Sequence, residues 1–166
     1  MSASPPDPIE VLQGQLDVPS TPALDDSQLP KVAIIILNWN GRHHLAGCFE
    51  SLSALDYPAS LVRVHLIDNG SDDGSVELIR REHANIELHQ NDRNLGFSRG
   101  CNQGSELAAD ADVLVFLNND MRVDASFLRR LVGPIASGQC EATTAKMLSW
   151  DGQRINSAGE IGRAHV

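Results

Sequence analysis

The sequence has few aromatic residues, few cysteines and no long apolar run. Aromatic side chains make up 4% of its 166 residues, and the three cysteines, Cys48, Cys101 and Cys140, form no Cys-x-x-Cys pair. That spacing argues against a disulfide framework or a zinc site and indicates reduced packing thiols. The longest apolar run, residues 32–37, is far shorter than the roughly 20 residues that a transmembrane helix needs. The sequence therefore predicts no membrane span.

Positive charge is also scarce, because 13 lysines and arginines stand against 22 acidic residues and the net charge is −9. This balance argues against a nucleic-acid partner or an anionic lipid bound by electrostatics alone. Residues 1–30 contain six of the eight prolines and have no hydrophobic period, which predicts a flexible N-terminal tail. The N-terminus has neither the basic nor the apolar segment of a secretory signal, so a cytoplasmic location is predicted.

From Lys31 onward, hydrophobic periodicity predicts strands that alternate with helices. The predicted strands are at residues 32–37, 62–68, 86–89, 113–117 and 141–147. Alternation of this kind is typical of an α/β layered domain with a mostly parallel central sheet. The first and fourth strands are apolar at every position, which predicts that both of their faces are covered.

Polar clusters follow three of these strands, at residues 38–41, 68–75 and 118–120. The carboxyl ends of parallel strands meet at one edge of a sheet, where ligands of such folds gather. The loop at residues 91–100 adds glycines, backbone amides and two arginines before a predicted helix, a setting suited to phosphate. The edge therefore offers donors for phosphate and acceptors for a metal ion or a ribose.

These segments also resemble a known family. Residues 32–41 (VAIIILNWNG), 66–75 (LIDNGSDDGS), 94–102 (NLGFSRGCN) and 117–120 (LNND) are similar, in order, to the motifs of the family 2 glycosyltransferases, which have the GT-A fold. The likeness is closest to the bacterial rhamnosyltransferase-like branch and covers residues 31–159. It implies a nucleotide-sugar-binding GT-A domain, a Rossmann-like layered α/β fold.

The resemblance also implies roles for the residues at the strand ends. Asp68 would accept a hydrogen bond from the base of the donor nucleotide, and a carboxylate suits an imide N–H. Asn38 and Asn40 would line the pocket for that base.

The remaining implied roles concern the diphosphate and the ribose. Asn94, Gly96 and Arg99 would make secondary binding contacts with the diphosphate or the sugar. Asn119 would face the ribose, and Asp120 would coordinate a divalent cation. One carboxylate with diphosphate oxygens and waters suits Mg²⁺ or Mn²⁺.

The activity implied is transfer of a sugar, with inversion, from a UDP-, dTDP- or GDP-linked donor to an acceptor hydroxyl. The acceptor would be a glycan or a lipid-linked molecule of cell-envelope polysaccharide synthesis, handled in the cytoplasm or peripherally at the inner face of the membrane. The family's carboxylate base lies on a later segment, so we expect residues 31–159 to be an incomplete domain, truncated at the C-terminus. Residues 160–166 are what a common sequencing-library adapter encodes, and we expect a non-native tail there.

A second class of protein stays open, namely a non-catalytic module that binds a nucleotide sugar. Other nucleotide folds are disfavoured, because neither G-x-G-x-x-G nor G-x-x-x-x-G-K-[ST] follows the first strand. Asp72 and Asp73 have two possible roles, as metal ligands or as helix-capping residues. His43 and His44 are open between a catalytic pair and a solvated helical turn, and Trp39 between base stacking and packing.

Overall fold

The computed structural model describes residues 24–149 and 152–157 of the chain. Four parallel strands form the central sheet in the order β3-β2-β1-β4. They are β1 (Val32–Asn38), β2 (Val62–Asp68), β3 (Glu87–Gln90) and β4 (Val113–Asn118). The register pairs Asn38 with Asp68, and Leu37 with Asn118, so these three strands end level with one another. The predicted parallel sheet is confirmed, with β3 one residue later than expected.

Four α-helices connect and cover the strands: α1 (Arg42–Ser53), α2 (Ser75–Glu82), α3 (Phe97–Leu107) and α4 (Phe127–Ala136). Side chains of α1, α2 and α4 pack with Ile34 and Ile36 of β1 in one hydrophobic core. Helix α3 lies on the opposite face, against β1 and β2. The result is the expected layered α/β domain. No helix in the described part of the chain is long and apolar enough to cross a membrane.

Two glycines bring α3 unusually close to β1. A Cβ built on Gly104 would lie 2.4 Å from Cγ2 of Ile35, and one on Gly100 would lie 2.7 Å from Cδ2 of Leu37. Real side chains do not approach this closely, so the spacing of these two glycines on one helical face sets the distance between helix and sheet.

We expect Gly104→Ala to destabilise the domain by about 1–3 kcal/mol, because the added methyl group overpacks against the buried Ile35. A urea unfolding titration followed by circular dichroism measures this. Gly47→Ala in α1 is the matched control, because the atoms nearest to its Cβ would be those of the flexible guanidinium end of Arg122. Equal stability of the two variants would contradict the close packing of α3.

The prediction that both faces of β4 are covered is wrong. Leu114 and Phe116 are 38% and 52% exposed. They point to the face on which α3 packs, and α3 lies over β1 and β2 rather than over β4. Hydropathy indicates that a strand prefers burial, but it does not say which neighbour supplies the cover.

The end of the described chain also differs from the predictions. The strand predicted at residues 141–147 is wrong, because only Met147–Leu148 (β5) is extended and paired, antiparallel to Ile155–Ser157 (β6). The hydroxyl of Thr143 instead donates to the carbonyl of Leu131 in α4. Residues 160–166, the predicted non-native tail, lie outside the described residues.

The N-terminal boundary is also earlier than predicted. Residues 24–30, assigned to the flexible tail, include a short 3₁₀ turn, Asp26–Gln28, and the buried Leu29. Asp26 forms an ion pair with Arg129 of α4 at 2.5 Å. The folded part of the chain therefore begins before Lys31, because Leu29 belongs to the core. Residues 1–23 lie outside the described part.

Candidate functional site

A cleft of about 260 Å³ opens at the carboxyl edge of the sheet. It lies where the strand order reverses, since β2 and β3 extend to one side of β1 and β4 to the other. Open α/β sheets bind ligands at such a switch point. The residues that line it come from the ends of β1, β2 and β4 and from the start of α3: Leu37, Asn38, Trp39, Asn69, Asn94, Phe97, Asn118 and Asn119.

A pair of asparagine amides joins β1 to β4 beneath this cleft. The side chain of Asn119 donates to Oδ1 of Asn38 at 2.8 Å, and Asn38 is only 1% exposed. Gly41 lies against this pair, and a Cβ there would fall 2.2 Å from Nδ2 of Asn119. A glycine is therefore required at position 41 if the two amides are to stay bonded.

Asp68 lies behind the cleft, fully buried at the end of β2. Its Oδ1 accepts from the backbone N–H of Gly70 at 3.1 Å and of Ser71 at 2.9 Å. Its Oδ2 accepts from Nδ2 of Asn38 at 2.9 Å and from the hydroxyl of Ser71 at 2.7 Å. These four bonds use about all of the acceptor positions of a carboxylate. Asp68 therefore holds the ends of β1 and β2 and the following loop together.

Asn40 and Asp73 tie the loop after β1 to the loop after β2. Asn40, at a left-handed φ of 51°, donates its N–H to the Ser71 hydroxyl and accepts from the N–H of Asp72, both at 2.9 Å. Asp73 accepts from the N–H of Arg42, the first residue of α1, at 2.9 Å and from that of Ser75, the first of α2, at 3.0 Å. Asp73 thus accepts hydrogen bonds from backbone N–H groups at the N-termini of two helices.

The charge state of Asp73 agrees with this role. Burial opposes ionisation, but hydrogen bonds from Ser75 and Arg42 hold the pKa of Asp73 below its usual range. His43 and His44 lie in the first turn of α1, where their ring centroids are 3.8 Å apart. His43 is exposed, as a solvated turn requires.

The loop before α3 presents the predicted phosphate-binding residues to solvent. Oδ1 of Asn94 accepts from the N–H of Gly96 at 2.8 Å, and Gly96 has a φ of 86° at the start of the helix. Arg99 is exposed in the first turn of α3. The loop thus leaves a helix N-terminus beside the cleft, with an exposed arginine in the first turn of that helix.

Sequence reasoning missed a group of amides that fixes this loop. Nδ2 of Asn91 donates to Oδ1 of Asn69 at 3.0 Å and to Oε1 of Gln103 at 2.9 Å, and Gln103 donates back to Asn91 at 3.0 Å. The group joins the end of β2, the end of β3 and α3. Asparagines next to strand ends were visible in the sequence, but their pairing depends on contacts between distant residues.

Asp120 lies one residue beyond the amide pair, exposed after the end of β4. Burial and the nearby charge of Asp120 raise the pKa of Cys48 in α1 to about 11. That thiol is therefore protonated and unreactive, and the three cysteines are unpaired. The carboxylate itself is exposed, and an exposed carboxylate is the kind of oxygen ligand that a divalent cation takes.

Two exposed aromatic rings line the cleft as well. Trp39 is 59% exposed and Phe97 is 65% exposed. Such large apolar side chains in solvent indicate a surface that meets a ligand. The packing alternative for Trp39 is not what the structure shows.

The structure thus brings most of the predicted site residues to one edge. Asn38, Asn94 and Asn119 line the cleft. Asp68 is buried behind the cleft and Asn40 is exposed outside its lining, and both act through bonds within the chain. Besides the amide group of Asn91, the sequence reasoning missed Ser71, which takes part in four hydrogen bonds with Asn38, Asn40 and Asp68, and the lining residues Asn69, Phe97 and Asn118.

Comparison with known proteins agrees with this geometry. The profile of glycosyl transferase family 2 matches residues 33–156. The chain is 32% identical over 113 residues to the glycosyltransferase AglE of Haloferax volcanii. The matched segment covers 66% of this chain and 37% of AglE. The chain therefore spans little more than a third of that relative.

Solved structures show the same fold. The mannosyltransferase PcManGT from Pyrobaculum calidifontis, in complex with GDP-Man and Mn²⁺, superposes with a TM-score of 0.59 at 20% identity, over 78% of this chain and 39% of its own. TarS 1-349 of S. aureus, in complex with UDP-GlcNAc, gives 0.58 at 18% identity, over 66% and 32%. These structures establish the GT-A fold. With the family profile, they lead to one conclusion: the chain belongs to glycosyl transferase family 2.

Proposed function

We propose that this chain is the donor-binding part of an inverting glycosyltransferase and that it binds a nucleoside-diphosphate sugar together with a divalent metal ion. The observation that carries the proposal is the polar cleft at the switch point of the sheet, lined by the ends of three parallel strands. The similar structures contain GDP-Man or UDP-GlcNAc, which supports a nucleotide sugar as the ligand.

In this proposal the nucleobase of the donor binds beside the end of β1. The exposed Trp39 ring stacks on the base, and Asn38 and Asn40 shape the pocket around it. Asp68 is the acceptor for an imide N–H of the base, as the family resemblance implies. Because its four acceptor positions are already used, the base replaces one present donor, and the Ser71 hydroxyl is the one that can rotate away.

The diphosphate and ribose lie towards α3 and β4. Asn94, the N–H groups near Gly96 and the guanidinium of Arg99 bind phosphate oxygens, as a helix N-terminus favours. Asn119 faces the ribose, and Asp120 holds Mg²⁺ or Mn²⁺. The side chain fits the ion, because an exposed carboxylate suits hard cations. When bound, the ion would offset the negative charge of the departing nucleoside diphosphate.

Transfer requires an acceptor and a base. We propose that a carboxylate outside this chain removes the proton of the acceptor hydroxyl, whose oxygen then displaces the nucleoside diphosphate with inversion. A glycan or lipid-linked acceptor of the cell envelope, a deoxysugar donor of the rhamnosyl type and a cytoplasmic site at the inner face of the membrane follow from the resemblance. The matched relatives are longer than this chain, so the whole protein's activity belongs to the proposal.

We expect Trp39→Ala to weaken nucleotide binding about tenfold or more, since stacking of an aromatic ring on a base contributes roughly 1–3 kcal/mol. Isothermal titration with the preferred nucleoside diphosphate and Mn²⁺ measures this. Phe116→Ala is the matched control, because Phe116 is a similarly exposed ring on β4 that does not line the cleft. Equal affinity of Trp39→Ala and the wild type would contradict the placement of the base.

The alternative of a non-catalytic nucleotide-sugar-binding module predicts the same binding without transfer. A radiolabelled donor incubated with the full-length protein and an envelope extract separates the two. Label in a glycan or lipid product supports the transferase, whereas tight binding without product in any extract supports the module.

A further inference from the structure

Three side chains that commonly bind metals lie together on the face of the sheet that also carries Ile35. Parallel pairing of β2 with β3 places His65 opposite Glu87 and Ile67 opposite His89. Because alternate residues of a strand share a face, His65, Glu87 and His89 project from the same side. One nitrogen or oxygen of each lies within 4.8 Å of the other two. Asp68 projects from the opposite face, so this group is separate from the network behind the cleft.

The distances in this group suit metal ligands better than hydrogen bonds. Nδ1 of His65 lies 3.3 Å from Nε2 of His89 and 3.4 Å from a carboxylate oxygen of Glu87. Good N–H hydrogen bonds measure about 2.7–3.2 Å, and Nδ1 has at most one proton to offer two acceptors. Four ligands that each lie about 2.0–2.1 Å from a zinc ion are separated by roughly 3.3–3.4 Å in tetrahedral geometry.

His65 is the most buried of the three side chains, and one of its ring nitrogens meets the polar atoms of the other two. Its side chain is 2% exposed. Nε2 of His65 is buried without a hydrogen-bond partner among the described residues, so Nδ1 is the nitrogen that meets polar atoms.

We propose that His65, Glu87 and His89 bind a transition-metal ion of the Zn²⁺ class at a site distinct from the donor cleft. Two imidazoles and one carboxylate form a donor set that zinc and cobalt accept, and a fourth position remains for water. Glu87 is 46% exposed and gives the ion a path from solvent. The bound ion ties β3, at the edge of the described sheet, to β2.

A titration of the purified chain with Co²⁺ tests this site. Four-coordinate Co²⁺ with imidazole ligands absorbs strongly in the visible range, whereas an oxygen-rich octahedral site such as that proposed at Asp120 absorbs weakly. We expect one equivalent of strongly absorbing Co²⁺ that Zn²⁺ displaces. Glu87→Gln and His89→Ala should each weaken binding by at least the roughly 10- to 100-fold that loss of an outer-shell partner costs.

The double variant His43→Ala/His44→Ala is the matched control, because it removes two neighbouring imidazoles from α1 and should leave the absorption unchanged. Circular dichroism checks the fold, and Glu87→Gln changes an exposed side chain that the fold does not require. The proposal is overturned if folded wild type takes up no strongly absorbing Co²⁺. It is equally overturned if Glu87→Gln and His89→Ala bind as wild type does, or if only the His43/His44 variant loses binding.

Discussion

Asp68→Ala is expected to lower the free energy of unfolding by about 3–5 kcal/mol and to abolish nucleotide binding. The substitution removes the acceptor for four hydrogen bonds in a fully buried position, and each buried donor left unpaired costs about 1–3 kcal/mol. A loss of this size is a large share of the 5–15 kcal/mol typical of a domain. Urea unfolding and nucleotide titration measure the two effects.

Ser71→Ala separates the structural role of Asp68 from its proposed contact with the base. This variant removes one donor to Asp68 and leaves three, but it also removes the acceptor for Nδ2 of Asn38 and for the N–H of Asn40, so a loss of about 1–3 kcal/mol is expected. Nucleotide affinity should be kept, because the base would take the position of the Ser71 hydroxyl. If Ser71→Ala lost nucleotide binding while remaining folded, Asp68 would act only as a structural anchor.

Asp120→Ala is expected to reduce sugar transfer by the full-length protein by roughly 10²- to 10³-fold, the range seen when one electrostatic stabiliser of a transition state is removed. The exposed position of Asp120 predicts little change in stability. Transfer from a radiolabelled donor, with Mn²⁺ supplied and with EDTA, measures the effect, and wild type with EDTA should resemble the variant.

Glu106→Ala is the control for Asp120→Ala, because Glu106 is an exposed carboxylate near the far end of α3. It should keep wild-type transfer and the same response to EDTA. Full activity of Asp120→Ala would contradict the proposed metal role of Asp120. Equal losses of transfer in both variants would indicate a general effect of charge.

The sequence predicted the location of the site because its strands are strongly marked. The run Val32–Leu37 and the pairing of polar residues with strand ends locate the carboxyl edge without any structure. Parallel strands whose ends are level then bring Asn38, Asp68 and Asn119 together. The motif resemblance supplied the fold type, which the family profile and the similar structures confirm.

Features that depend on tertiary contacts could not be predicted in the same way. The bonds that occupy Asp68 come from Ser71 and Gly70 only once the loop turns back. The His65 group requires the register of β2 against β3, and the residues involved are 24 positions apart. Cover on β4 depends on where α3 lies, which hydropathy does not encode.

The most direct test of donor binding is an isothermal titration of the chain with UDP, dTDP and GDP, each with Mn²⁺ and again with EDTA. We predict that at least one of the three binds at one site per chain, that EDTA weakens this binding, and that Asp120→Ala has the same effect as EDTA. Folded chain that binds none of the three nucleotides under either condition would contradict this prediction.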